Sequence, residues 1–396
     1  MSQPTENSSA PEGITTPAGF SAAGVAAGLK STGANDVVVV RNQGPRFAAA
    51  AVFTSNRVAA APVHWSRQVI ADGRADAVVL NSGGANACTG PEGFANTHRT
   101  AEHAAEALGV SAGDVLVCST GLIGEQLPMD KLLPGVSAAV EALAATPEAG
   151  MAAATGIMTT DTVPKHGARH ASGYAIGGIA KGAGMLAPAL ATMLVVLTTD
   201  AELDAADLDG ALRAATALSF DRADSDGCMS TNDTVVLLAS GASGVRPDLQ
   251  EFTAELTGLC QELAKGLIDD AEGAQHTITV RTFNAASEAD ALEVSRAVSR
   301  SNLVKTAIFG RDPNWGRVLS EVGTTTAAFE PEQLNVSING VQVCRNGGVG
   351  EDRSLVQFSG REVAIDIDLN AGSAEASILT NDLTHDYVHE NSAYSS

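Results

Sequence analysis

The sequence predicts a mixed α/β fold built from layered sheets flanked by helices. Short valine-rich segments bounded by Gly or Asn are typical of buried strands, and they alternate with longer segments of helical composition. No repeat period and no low-complexity linker divides the 396 residues. The length would allow one large domain or two ordinary ones, and without a linker we expect no independent second domain.

The predicted strands recur along the chain and are rich in β-branched residues, which fit a half-buried pleated surface. They cover residues 36–41, 48–54, 77–80, 115–118, 193–198, 233–238, 277–283, 305–309, 334–338 and 362–367. Helices are predicted at residues 97–108, 132–143, 205–220, 249–270 and 289–298. Gly109 would stop the first helix, and acidic residues at the start of the third suit its positive end.

Composition limits the classes of partner. The chain has 24 Lys+Arg against 46 Asp+Glu, and its net charge of −22 repels phosphate backbones and anionic lipid. We therefore expect no nucleic acid and no membrane partner. Residues 1–11 are polar, so we expect a disordered tail and no secretory signal. Five scattered cysteines without CxxC spacing predict reduced thiols and a cytoplasmic location.

Part of the segment 181–197 imitates a nucleotide-binding motif. Gly182, Gly184 and Ala187 match the G-x-G-x-x-[GA] pattern, and Glu202 falls where that motif places an acid. The motif needs a helix that starts within the glycines, whereas Pro188 would fall in the second turn of that helix and the β-branched, apolar run after Thr192 predicts a strand. We therefore expect tight loops at these glycines and no dinucleotide site.

Thr192 lies between this Gly- and Pro-rich loop and the predicted strand. A threonine at a strand start is ordinarily a strand former and nothing more. The setting also permits a nucleophile, because a constrained loop can press the Ala191 carbonyl against the Thr192 hydroxyl. An N-to-O acyl shift and hydrolysis would then free the Thr192 amine. The pKa of an α-amino group is about 8, so this amine can act as base to its own side chain.

The segment from Lys181 to Leu194 resembles the self-cleavage motif of the ornithine acetyltransferases, also called glutamate N-acetyltransferases, of arginine biosynthesis. The resemblance extends from about Thr16 to Ser396. Further segments are similar to the family in the same order, at residues 81–90, 119–124, 158–165, 230–234, 270–274, 303–307, 312–317 and 382–388.

The resemblance implies that the chain cuts itself between Ala191 and Thr192. Residues 1–191 would become an alpha chain and residues 192–396 a beta chain, and the two would form one intertwined catalytic unit. The implied architecture is that of self-cleaving enzymes with an N-terminal nucleophile, assembled as a heterotetramer of two alpha and two beta chains.

The resemblance also implies roles in catalysis. Thr192 would be the nucleophile, and Thr120 with Gly121 would form the oxyanion hole. A hydroxyl and a backbone amide on a tight turn after a strand can both meet a tetrahedral oxyanion. Without the resemblance, Ser119-Thr-Gly would indicate an ordinary turn.

Substrate contacts are implied for Thr159, Lys181, Glu272, Asn391 and Ser396, besides the nucleophile. A lysine suits the α-carboxylate that acetylornithine and glutamate share. Taken singly, Lys181 and Glu272 would be solvated surface charges, and the C-terminus a frayed tail. Relatives commonly end in threonine, and Ser396 keeps the hydroxyl and the terminal carboxylate.

The implied function is transfer of the acetyl group from N2-acetylornithine to glutamate through an acetyl-Thr192 ester. No cofactor is implied, and the sequence leaves open whether acetyl-CoA is a second acetyl donor. His385 and His389 lie four residues apart without further ligands nearby in sequence, so we expect no metal. Two alternatives remain: a related amidase or aminopeptidase that uses water as acceptor, and a non-catalytic small-molecule binding protein that never cuts its chain.

Overall fold

The computed structural model describes residues 12–186 and 193–393. Within these ranges the strands form three sheets with helices packed against them, so the predicted mixed α/β class is confirmed. The strands are β1 (Phe20–Val25), β2 (Val37–Asn42), β3 (Ala48–Phe53), β4 (Ala77–Asn81), β5 (Val115–Ser119), β6 (Lys165–His170), β7 (Ala175–Lys181), β8 (Leu194–Thr199), β9 (Thr234–Ala239), β10 (Thr277–Ala285), β11 (Asn335–Ile338), β12 (Val341–Arg345), β13 (Gly348–Val349), β14 (Glu362–Asp368) and β15 (Ala374–Asn381).

The α-helices lie between these strands and at the C-terminal end of the described chain. They are α1 (Ala61–Val69), α2 (Gly90–Leu108), α3 (Met129–Glu141), α4 (Pro147–Gly156), α5 (Ala205–Ala217), α6 (Leu249–Asp269), α7 (Glu288–Arg300), α8 (Asn302–Phe309), α9 (Trp315–Val322) and α10 (His385–Ala393). Among the residues described, no helix combines the length and the hydropathy needed to cross a membrane.

Each sheet mixes parallel and antiparallel neighbours. The four-stranded sheet has the order β1-β2-β4-β5, in which only β4 and β5 are parallel. The five-stranded sheet has the order β3-β9-β8-β7-β6, with β8 parallel to β9. The six-stranded sheet has the order β13-β12-β11-β14-β10-β15, with β10 parallel to β14.

The central strands β8 and β9 separate two hydrophobic cores, because successive side chains of a strand point to opposite faces. Val195 and Leu197 pack with the apolar side chains of α5 and α6. Val196 and Val236 belong to the core that includes the four-stranded sheet. Since both faces are covered, these strands are apolar at almost every position, which is the pattern that predicted them.

The six-stranded sheet has a core of its own, shared with α7, α8 and α9. The backbone N–H of Asp224 donates to the Leu379 carbonyl at 2.9 Å, which ties the sheet to the loop before β9. Its last strand, β15, leads into α10. The C-terminal third of the chain thereby brings α10 beside the loops of the other two sheets.

One predicted strand is wrong. Residues 305–309 belong to α8, whose N-cap residue Ser301 accepts a hydrogen bond from the Val304 N–H. Val304, Ala307 and Ile308 are buried at helical spacing on one face. Their apolar, β-branched composition suggested a strand, but the serine cap and the spacing of three and four residues select a helix.

Candidate active site

A cavity of about 150 Å³ lies where the ends of β5 and β7 meet the loop before β9 and helix α10. Its lining brings together six of the residues assigned to the site from sequence: Thr120, Gly121, Thr159, Lys181, Glu272 and Asn391. The lining also includes Ala85, Ile123, Thr160, Gly184, Met185, Ser230, Thr231 and Asn232. Ala191, Thr192 and Ser396 lie outside the described residues.

Thr120 and Gly121 occupy the turn that follows β5. Gly121 has a φ of 136°, and a Cβ at this position would lie 2.7 Å from the Gly84 nitrogen. The Gly84 N–H donates to the Thr120 carbonyl at 3.0 Å. The glycine-rich turn after β4 and the turn after β5 therefore pack backbone against backbone, which leaves no space for a side chain at residue 121.

Asn232 fixes the spacing of these two turns. Its side-chain Nδ2 donates to the Ala85 carbonyl at 2.6 Å and to the Ser119 carbonyl at 2.8 Å. Its Oδ1 accepts a hydrogen bond from the Thr231 hydroxyl at 2.6 Å. One buried amide thus links the turns after β4 and β5 to the loop before β9, and holds Thr120 and Gly121 at the cavity wall.

Lys181 is the buried cation of the cavity. It is 1% exposed, and its Nζ donates to Thr120 Oγ1 at 3.3 Å. Burial lowers the pKa of Lys181, and the carboxylate of Asp161 is the strongest opposing influence. Lys181 forms no salt bridge within the described ranges, and the carboxylates of Asp161, Asp233 and Glu272 act on it at longer range. A ligand carboxylate could therefore pair with it directly.

Asp161 organises the backbone beside Lys181. Its Oδ1 accepts hydrogen bonds from Gly182 N at 2.7 Å and from Lys165 Nζ at 2.6 Å, and its Oδ2 accepts one from Thr159 N at 2.9 Å. Burial favours the neutral acid, but Lys181 and Lys165 outweigh it and lower the pKa of Asp161 below its ordinary value. The ionised Asp161 therefore couples the Thr159 turn to the end of β7.

Glu272 lines the cavity, and its side chain lies against Gly184. Its backbone N–H donates to the Ala183 carbonyl at 2.8 Å, and its carboxylate accepts a hydrogen bond from Asn391 Nδ2 at 2.8 Å. A Cβ on Gly184 would lie 2.4 Å from Glu272 Oε2. The glycine lets the carboxylate lie against the backbone, and Asn391 anchors α10 to the same carboxylate.

Gly184, one of the glycines of the apparent nucleotide motif, permits this close contact between the Glu272 carboxylate and the backbone. Residues 182–186 contain no helix, and the next described element is β8, which begins at Leu194. A dinucleotide fingerprint requires a helix at that point. Residues 183–185 form a bend, in keeping with the tight loop expected at these glycines.

Among the residues that received no role from sequence, three shape the site through the contacts described above: Asn232, Asp161 and Gly184. Each lies in a segment that resembles the acetyltransferase family. A polar residue directly before a buried strand, as Asn232 precedes Asp233 and β9, is the local signal that could have marked it. The two carbonyls that its side-chain Nδ2 bridges lie 147 and 113 residues away in sequence, and no local pattern indicates them.

A small cavity that combines hydroxyl and amide donors with a buried lysine and a carboxylate suits chemistry on an acylated amino acid. The fold and this cavity define an acyl-transferring enzyme.

A family model described as the ArgJ family matches residues 21–396. The "Arginine biosynthesis bifunctional protein ArgJ" of Streptomyces coelicolor is 62% identical over 383 residues, which cover 97% of this chain and 100% of the relative. The protein of the same name from Thermobifida fusca is 61% identical over 96% of this chain and 99% of its own length. The chain therefore belongs to the ArgJ family.

Among solved structures, the ornithine acetyltransferase of Mycobacterium tuberculosis complexed with ornithine is 56% identical to this chain. The match covers 46% of this chain and 96% of the solved chain, with a TM-score of 0.45.

Proposed function

We propose that Thr192 carries the acetyl group in the reaction of this enzyme. As a member of the ArgJ family, the chain is an ornithine acetyltransferase of arginine biosynthesis. The Thr192 hydroxyl attacks the acetyl carbon of N2-acetylornithine, its own amine takes the hydroxyl proton, and ornithine leaves with that proton. The amine of glutamate then attacks the ester, which yields N-acetylglutamate and free Thr192.

The observation that carries this proposal is the position of the chain on both sides of residues 187–192. Met185 lines the cavity, together with Thr120 and Lys181. On the other side, Met193 N donates to the carboxylate of Asp233 at 3.1 Å, and Asp233 acts electrostatically on Lys181. The described chain before and after the segment that contains Thr192 therefore borders the same group of polar residues, at Met185 and at Met193.

Thr120 and Gly121 are proposed to stabilise the oxyanion of both tetrahedral intermediates. A hydroxyl and a backbone N–H that are already fixed need no reorganisation when the negative charge develops. The Asn232 bridge and the backbone packing against Gly84 supply this rigidity.

Lys181 is proposed to bind the α-carboxylate that donor and acceptor share. Glu272 and Asn391 also line the cavity, and we propose that they bind the amine-bearing side chain of ornithine. Thr159, another lining residue, is proposed to bind an adjacent polar group of the substrate. A buried cation and a carboxylate on one small cavity match the two charged ends of a diamino acid. Ser396 is proposed as a further substrate contact.

We expect Gly184→Ala to raise the KM for N2-acetylornithine about tenfold, the equivalent of ~1.4 kcal/mol. The added Cβ would lie 2.4 Å from Glu272 Oε2 and displace that carboxylate. Steady-state kinetics on cleaved enzyme would measure the effect. Gly210→Ala in α5 is the matched control, because a Cβ there meets nothing within 4 Å. If Gly184→Ala keeps the wild-type KM, Glu272 is not a substrate contact.

The mature enzyme is proposed to contain an alpha chain of residues 1–191 and a beta chain of residues 192–396, joined in one catalytic unit and assembled as two copies of each. We further propose that acetyl-CoA is a second acetyl donor, which the word bifunctional in the relatives' names supports. The described cysteines are all free thiols, in keeping with a reducing cytoplasm as the proposed location.

The test of the function is an acetyl-transfer assay with N2-acetylornithine, run with and without glutamate. We expect N-acetylglutamate and ornithine in equal amounts when glutamate is present, ping-pong kinetics, and far slower acetate release when it is absent. Acetate released equally fast in both reactions would make water the acceptor and the protein an amidase. A parallel reaction with acetyl-CoA and glutamate tests the second donor.

A further inference from the structure

The proposed substrate contacts of the cavity come from separate segments of the chain. Thr159 lies in the loop after α4, Lys181 is the last residue of β7, and Glu272 lies in the turn after α6. After the proposed cut, Lys181 would belong to the alpha chain and Glu272 to the beta chain. The distance between this cation and this carboxylate would therefore depend on non-covalent contacts.

Lys165 is a buried lysine at the junction of these segments. It is the first residue of β6 and is 5% exposed. Its Nζ donates to Asp161 Oδ1 at 2.6 Å and to Asp270 Oδ2 at 2.5 Å. Because both contacts are charge-assisted and buried, they hold the two carboxylates firmly at one separation.

Asp161 connects Lys165 to the end of the cavity that contains Lys181. It accepts hydrogen bonds from the backbone N–H groups of Thr159 and Gly182. Gly182 directly follows Lys181 in the chain. A displacement of Asp161 would therefore move the backbone that carries Lys181.

Asp270 connects Lys165 to the end of the cavity that contains Glu272. It is the C-cap residue of α6 and lies two residues before Glu272. Its Oδ2 also accepts a hydrogen bond from the Thr162 N–H at 2.9 Å, and its Oδ1 accepts one from the Thr162 hydroxyl. The Glu272 N–H donates to the Ala183 carbonyl, and this contact uses backbone atoms only. The Lys165 ammonium is the group that joins Asp270 to Asp161.

We propose that Lys165 is a positioning residue that selects the length of the substrate side chain, an inference that rests on the proposed roles of Lys181 and Glu272. The bridge from Asp161 to Asp270 holds the two charged ends of the cavity at the separation that suits N2-acetylornithine. N2-acetyllysine carries the same charges with one more methylene group, so it fits this separation poorly. Lys165, Asp161 and Asp270 are not among the described residues that line the cavity, so the bridge acts through the residues that do.

Lys165→Met tests the proposal, because methionine is a long, unbranched side chain without a charge. The quantity measured is the ratio of kcat/KM for N2-acetylornithine to kcat/KM for N2-acetyllysine, with glutamate as the acceptor. One methylene group is worth about 10–200-fold in such a ratio, and we expect the wild-type ratio to lie in this range. In Lys165→Met the ratio should fall about tenfold, mainly through a higher KM for N2-acetylornithine. General damage to the site would lower both values together and leave the ratio unchanged.

Asp270→Asn is a second variant, because Lys165→Met leaves two buried carboxylates without their cation and could prevent folding. Asparagine keeps an oxygen for Thr162, and Lys165 keeps Asp161 as its partner. The variant therefore removes only the charged link between Lys165 and the end of α6. We expect the ratio to fall in the same direction by a smaller factor.

Lys265→Met is the matched control. Lys265 lies on α6, at a more exposed position, and its Nζ also bridges two carboxylates, of Asp269 at 2.9 Å and of Glu362 at 3.0 Å. None of these three is among the described residues that line the cavity. We expect the ratio in Lys265→Met to stay at the wild-type value.

Three outcomes would overturn the proposal. One is a wild-type ratio in folded Lys165→Met, or in Asp270→Asn where Lys165→Met does not fold. Another is the same fall of the ratio in Lys265→Met, and the third is a wild-type enzyme that uses both donors equally well. Failure of the proposed substrate roles is distinguishable, because Gly184→Ala would then keep the wild-type KM for N2-acetylornithine.

Discussion

Replacing Thr192 by alanine is expected to leave one uncut chain of 396 residues and 40.1 kDa, without acetyltransferase activity. Wild-type protein should instead give fragments of 191 and 396 − 191 = 205 residues. Without the hydroxyl, neither the acyl shift nor the acetyl ester can form. Loss of a nucleophile has cost about 10⁶ in kcat in another acyl-transfer enzyme, so residual turnover should fall below detection. Intact mass spectrometry and the acetyl-transfer assay measure both effects.

Thr192→Ser is the control for this variant, because it keeps a hydroxyl on the same carbon and removes only a methyl group. We expect it to cut at the same bond and to retain part of the activity. A cut before residue 192 that survives in Thr192→Ala, or a wild-type cut elsewhere, would contradict the proposed nucleophile.

Thr120→Ala is expected to lower kcat by about 10²–10³, the usual cost of removing one oxyanion donor. The variant loses the hydroxyl and keeps the backbone of the turn after β5. Because Lys181 Nζ donates to Thr120 Oγ1, the KM should also rise. Initial rates at varied N2-acetylornithine and glutamate separate the two effects.

Thr120→Ser keeps the hydroxyl and should recover most of the lost kcat. If Thr120→Ser is as slow as Thr120→Ala, the methyl group and its packing matter, and the hydroxyl is not the donor. If kcat is unchanged in Thr120→Ala, the Thr120 hydroxyl does not belong to the oxyanion hole, and the Gly121 N–H lacks its proposed partner there.

The strands found most closely from sequence are those covered on both faces. β2, β5, β8 and β9 are almost uniformly apolar, so composition alone marks them within one or two residues at either end. Strand β7 was missed because two glycines interrupt it. A Cβ on Gly177 would lie 2.1 Å from the Gly13 carbonyl, and one on Gly178 2.8 Å from a Leu197 methyl group. These glycines reflect close packing of distant segments, which local propensity does not record.

Part of the site was predictable because of the family resemblance, whereas the strands were predictable from composition. Thr120, Lys181 and Glu272 are ordinary residues in isolation, and only their resemblance to a family in order along the chain singled them out. The contacts that hold them are non-local. Asn232 bridges two turns, and Asp161 holds the backbone amides at Thr159 and Gly182. Such partners follow from sheet topology, which the sequence pattern leaves undetermined.

The five-stranded sheet has a consequence for the maturation of the enzyme. β3, β6 and β7 precede the proposed cut, whereas β8 and β9 follow it, and the pairs β7–β8 and β3–β9 join the two sides. The cut would nick the connection between two antiparallel neighbours and leave each product with an incomplete sheet. Refolding of the mature protein from denaturant would then be a second-order reaction between fragments, and its apparent stability should rise with protein concentration. The uncut Thr192→Ala chain would refold as a single molecule, independent of dilution.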